Sequence, residues 1–162
     1  LGSCIYLKNA KFPKCSRLTG DIAALGNCSH LEKADFSDCH NITGDIAALG
    51  KCTNLVNAYF WDCSKITGDI SVLERCPKLT AVNFCGRFEA MKVTGDIAAL
   101  MNHCTNLVTA EFRLCTQITG DIATLGKCTN LKSADFRSTK ITGNIAALGK
   151  CTNLKEAWLA GS

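Results

Sequence analysis

The hydrophobic positions of this chain fall into columns. Leu7, Leu31, Leu55, Leu79, Leu107, Leu131 and Leu154 form the first. Three residues further on stand Ala10, Ala34, Ala58, Val82, Ala110, Ala134 and Ala157, and two beyond those Phe12, Phe36, Phe60, Phe84, Phe112, Phe136 and Leu159. The Ala-x-Phe stretch alternates apolar and polar residues, which predicts a short strand with one buried face. Six of the seven Phe share one column, so the copies are expected to stack their rings into a spine. Between strands runs a second motif, Thr-Gly-Asp-Ile, starting at Thr19, Thr43, Thr67, Thr94 and Thr119, with Thr142-Gly143-Asn144-Ile145 as a sixth copy. The steps are 24, 24, 27, 25 and 23 residues, a period that belongs to stacked repeats.

Within one unit, Gly permits a bend that a side chain would oppose. The Asp that follows is a good helix N-cap, and Ala-Ala-Leu comes directly after it. A short helix is therefore predicted. It is expected to end at Gly26, Gly50, Gly126 and Gly149, where Lys51, Lys127 and Lys150 would face the negative end of the helix dipole.

Cysteine changes the picture less than its abundance suggests. Twelve Cys in 162 residues would ordinarily indicate disulfides. Here Cys4, Cys28, Cys52, Cys76, Cys104, Cys128 and Cys151 occupy one repeat position, and Cys15, Cys39, Cys63 and Cys115 another. Stacked in columns, they read as small buried hydrophobes. Reduced thiols and an intracellular, reducing compartment (cytoplasm or organelle) are the expectation. Cys85 stands off register and is expected to point outward. The sequons at Asn27 and Asn41 support the rival reading of an extracellular, partly disulfide-linked chain.

At 47% hydrophobic residues the chain can bury a core, and its net charge of +4 carries no basic or acidic run that would mark a nucleic-acid arm. No apolar stretch approaches the roughly 18 residues of a membrane span.

The pattern Leu-x-x-Ala-x-Phe-x-x-Cys-x-x-Ile-Thr-Gly-Asp-Ile resembles a leucine-rich repeat, in which the strand segment reads Leu-x-x-Leu-x-Leu-x-x-Asn/Cys-x-Leu. Ala and Phe replace the two strand leucines. The Ile-Thr-Gly-Asp-Ile segment resembles the Leu-Thr-Gly-x-Ile-Pro of the plant-type subclass, with Ala23, Ala47 or Ser71 at the Pro position. Similar Thr-Gly-Asp-Ile repeats occur in protist and algal proteins. The resemblance implies an α/β solenoid: a curved array with a concave parallel β-sheet of about seven short strands and short convex helices. Residues 1–162 are expected to form a single solenoid of about seven rungs, a section of a longer chain because neither end shows a polar cap.

Function would then sit on the outward strand positions. In the last rung these are Glu156, Trp158 and Ala160. Across the array they vary while the columns stay fixed, as a recognition surface requires. Tyr59 and Trp61 would project side by side near the middle. The next rung carries three extra residues within Cys85–Lys92, and such insertions map to loops, often on the binding face. Phe88 and Met91 lie in it; both could fold back over the longer rung, or Phe88 could stand out as an anchor. The expected partner-binding set is Asp35, Asn57, Tyr59, Trp61, Asp62, Asn83, Phe88, Glu111, Arg113 and Arg137. In it Tyr59, Trp61, Phe88 and Arg113 act as anchors, and Asp35, Asp62 and Glu111 as a polar rim.

Chemistry finds no foothold. His30 lies near Cys28 and His40 follows Cys39, but no C-x-x-C or H-x-x-x-H spacing occurs. The Asp column is explained by capping. No phosphate loop or nucleophile motif appears. The expectation is a non-catalytic protein-interaction module with no cofactor and no metal, binding a protein partner on its concave face, without nucleic acid or membrane insertion. A structural scaffold or subunit of a larger assembly, or a receptor ectodomain, are the alternatives.

Overall fold

A computed structural model describes residues 3–159, and Ala160, the last outward position, lies outside them. Seven three-residue strands form one parallel sheet: Asn9–Lys11, Lys33–Asp35, Asn57–Tyr59, Ala81–Asn83, Thr109–Glu111, Ser133–Asp135 and Glu156–Trp158. They pair in strict chain order, with Ala10, Ala34, Ala58, Val82, Ala110, Ala134 and Ala157 in register across the sheet. Each rung therefore adds one strand, and each strand keeps its central residue inside.

The columns are the core. Leu31, Leu55, Leu79, Leu107 and Leu131 are fully buried, and the terminal Leu7 and Leu154 partly so. The Phe rings stack as the repeat predicts. Successive centroids from Phe12 to Phe136 lie 5.6, 5.6, 5.4, 5.9 and 5.6 Å apart. Phe60 and Phe84 are the most nearly parallel pair, at 4°. Offset stacking at this distance adds to area burial.

Thr-Gly-Asp departs from the expected bend. It runs as a second parallel sheet of six strands, Gly20–Asp21, Ile42–Asp45, Ile66–Asp69, Lys92–Asp96, Gln117–Asp121 and Lys140–Thr142. The Thr hydroxyls reinforce it, Thr43 Oγ1 donating to Gly20 O at 3.3 Å and Thr67 Oγ1 to Gly44 O at 3.4 Å. Each Gly of the motif has φ between 113° and 131°. The chain stays extended enough to pair while turning in a way that a side chain would resist.

The capping expectation holds in all six copies. The Asp or Asn Oδ1 accepts from the backbone N–H two residues on, at 2.7–2.9 Å. The helices that follow are mostly 3-10 helices of six residues, as in Ile46–Lys51. They do not end at the Gly. They run one residue further and are closed by Cys28, Cys52, Cys76, Cys128 and Cys151, whose N–H bonds the carbonyl of the helix Leu. A tight i to i+3 turn needs no left-handed terminal residue, so Gly is released from that role. The one-residue insertion at Met101-Asn102-His103 widens its helix to an α-helix, Ile97–His103.

Replacing Phe60, which is stacked on both sides, by Ala should cost about 3–5 kcal/mol of stability in a denaturant melt. A loss under about 1 kcal/mol would contradict the spine.

Candidate functional site

The sheet positions Tyr59 and Trp61 two residues apart on one face, both half-buried. Tyr59 Oη accepts from Asn57 Nδ2 at 3.4 Å. The inserted loop comes over this face from the next rung. Its Arg87 guanidinium lies 5.6 Å from the centroid of Trp61 and 5.1 Å from that of Phe88. Arg87 thus bridges two aromatic rings, a cation–π arrangement. Phe88 is 83% exposed, the most exposed large apolar residue among those described. The two loop residues have opposite fates, since Met91 is buried and its N–H donates to Leu114 O.

Two of the expected contact residues serve the loop. Arg113 donates through Nε and Nη2 to Gly86 O, at 3.2 and 2.9 Å, and so clamps the loop base. Asp62 is no rim residue: it is buried, and its Oδ1 accepts from Arg87 N at 2.9 Å. The backbone at Asp62 is left-handed, φ 57°, which turns the carboxylate inward. Further along the sheet, Asn83 Nδ2 donates to Glu111, and Arg137 pairs with the buried Asp135 and covers Trp158 at 5.4 Å. Burial, followed by the charge of Asp135, raises the Glu111 carboxyl above the ordinary range. Asp35 accepts from the backbone of Ser37.

Beside Phe88 lies an open cleft of about 330 Å³, lined by His40, Asn41, Asp62, Ser64, Lys65, Phe88 and Glu89. Asp38, His40 and Asp62 meet at its edge, a grouping the sequence spacing hides because it joins two rungs.

Cys85 corrects another expectation. It is buried, accepts from Arg113 N at 3.2 Å, and burial pushes its thiol up to about 12. The residue lies at an outward position, but the inserted loop and Arg113 cover it. Nine of the eleven column thiols are buried as the repeat predicts; Cys4 and Cys15, in the first rung, are exposed because no rung described before them covers them. Cys39 and Cys63 each donate at 2.9 Å to a Phe carbonyl of the preceding rung, and burial pushes Cys63, Cys76 and Cys104 up to about 12.

No family model and no curated protein matches this sequence. Solved structures do. Internalin C2 from Listeria monocytogenes aligns at a TM-score of 0.60 and 16% identity, over 84% of this chain and 54% of that one. The plant peptide hormone receptor RGFR1, in complex with RGF2, aligns at 0.67 and 21%, over 94% and 24%. The LRR protein LIC12759 of Leptospira interrogans aligns at 0.56 and 11%, over 96% and 43%. The chain thus spans between about a quarter and about half the length of these structures.

Native reduced protein should expose only Cys4 and Cys15 to a thiol reagent near pH 8, with the rest labelled on unfolding. Stability should fall as pH rises from 9.0 toward about 12, because the unfolded thiols ionise first and the buried ones later. Prompt native labelling of Cys85 or Cys63, found by peptide mapping, would contradict the burial. Ordered stacking of seven strands, capped turns and buried thiol columns, together with these likenesses, give the chain the leucine-rich-repeat fold.

Proposed function

We propose that this chain is a non-catalytic module that binds a protein partner on its seven-stranded sheet face, at the middle rungs beside the inserted loop. One observation carries the reading: Trp61, Arg87 and Phe88 form a continuous aromatic and cationic patch with an exposed tip, and Tyr59 stands two residues from Trp61 on the same face. Aromatic and Arg side chains supply most of the binding energy at protein interfaces, and a rigid frame lowers the cost of ordering them. Arg113 and Asp62 hold the loop from below, so the patch is supported before a partner arrives. Asp35, Asn57, Asn83, Glu111 and Arg137 supply polar contacts along the same face. The plant receptor of the same fold is a peptide hormone receptor in complex with RGF2, which supports a binding role for the fold. Ten buried cysteines, nine of them in the repeat columns, support a reducing compartment.

A cross-linked pull-down from the native source, wild type against Tyr59→Ala/Trp61→Ala, tests the site. The partner should be captured by wild type and reduced by about tenfold or more with the variant, while both melt as folded proteins. Equal capture by both would move the contact off the sheet and favour the scaffold reading.

A further inference from the structure

We propose that Asp38, His40 and Asp62 form a divalent metal site of the zinc type at the edge of the Phe88 cleft. The site joins two rungs. Asp38 and Asp62 occupy the same position in consecutive repeats, each in the left-handed turn after its strand, at φ 62° and 57°. His40 stands two residues after Asp38 and reaches across to the next rung, where its Nδ1 lies 3.0 Å from the carbonyl oxygen of Asp62 and 3.8 Å from Asp62 Oδ2. One donor atom from each of the three residues lies within 4.8 Å of the others.

The chemistry of the set selects the ion. One imidazole nitrogen and two carboxylates suit Zn²⁺ and its neighbours better than the all-oxygen shell of Ca²⁺. Tetrahedral donors around zinc stand roughly 3.4 Å apart, so the three groups close in by about 1 Å on binding. The exposed His40 and half-buried Asp38 are free to make that movement. Asp62 is not: it is 8% exposed and its Oδ1 is held by Arg87 N, leaving Oδ2 directed at His40. Nδ1 is the His40 atom nearest Asp62 Oδ2, so it is the atom that would ligate, exchanging its contact with the Asp62 carbonyl for the ion.

Two negative side chains are brought together here with only a neutral or protonated imidazole between them, and among the described residues neither carboxylate pairs with Lys or Arg. A cation relieves that repulsion. Three protein ligands leave a fourth position open. The cleft lined by Ser64, Glu89 and Phe88 lies beside it, next to the proposed anchor patch. The bound ion would tie two rungs to the loop through Asp62 and Arg87. The Asp caps of the Thr-Gly-Asp column are different: their Oδ1 atoms close the helix turns.

The test is calorimetric titration of the reduced chain with ZnCl₂, with MgCl₂ as comparator, in a Cys4→Ser/Cys15→Ser background that removes the exposed thiols. One Zn²⁺ per chain at micromolar affinity is expected, Mg²⁺ binding far more weakly. His40→Ala and Asp38→Asn should each weaken zinc by about tenfold or more. Their apo melting temperatures should stay close to the parent's, because His40 is exposed and Asp38→Asn keeps the size and the left-handed tolerance of the half-buried Asp38. No zinc binding at millimolar concentration, or zinc binding unchanged by His40→Ala, would overturn the site.

Discussion

Everything in this fold depends on how closely one rung can approach the next, and at Thr-Gly-Asp the approach leaves no room for a side chain. A side chain carbon placed on Gly44 would overlap the carboxylate of Asp21, and on Gly68, Gly95, Gly120 or Gly143 it would overlap the Asp of the preceding rung in the same way. The Asp carboxylate that caps one helix thus occupies the space that the following rung's Gly leaves open. The same Gly adopts a positive φ that lets the strand continue, so a single residue serves both spacing and direction. With that gap set, the second sheet pairs and the Phe rings meet at stacking distance.

Close stacking has a polar consequence that the cysteines resolve. Turning backbone buried between rungs must find partners. In the columns the thiols supply weak donors: Cys76 reaches Leu49 O and Cys52 O at 3.5 Å, and Cys104 reaches Leu73 O and Cys76 O at 3.3 and 3.4 Å. A thiol is small enough for the column and still polar enough for a carbonyl. Where the array is interrupted, other residues take over. Met101 fills the widened turn and meets the Cys128 sulfur at 3.6 Å, and Met91 closes the longer rung beneath the exposed Phe88.

Much of this was legible in the sequence because a repeat averages out local ambiguity. Five copies of Leu-x-x-Ala-x-Phe and two close variants leave little room for another strand register, and the Asp before Ala-Ala-Leu announces its cap. The second sheet was not legible, since Gly reads locally as a bend and only the neighbouring rung shows that it pairs. The helix ends were misplaced for a related reason: Gly marks an α-helical stop, and these turns are 3-10. The candidate site was legible in outline, with Tyr59, Trp61 and Phe88 on one patch. Asp62, Cys85 and Arg113 were not, because the insertion changes what covers them. Nor was the meeting of Asp38, His40 and Asp62, which depends on a separation of one full repeat.

The most direct test compares two Gly→Ala variants by denaturant unfolding. At Gly68, φ is +114° and the added carbon meets the Asp45 carboxylate, whereas at Gly149 it meets nothing within 4 Å. Gly68→Ala should lose about 1–3 kcal/mol or more, and Gly149→Ala should be neutral or slightly stabilising. Equal effects at the two positions would contradict the claim that the Gly–Asp contact sets the spacing of the rungs.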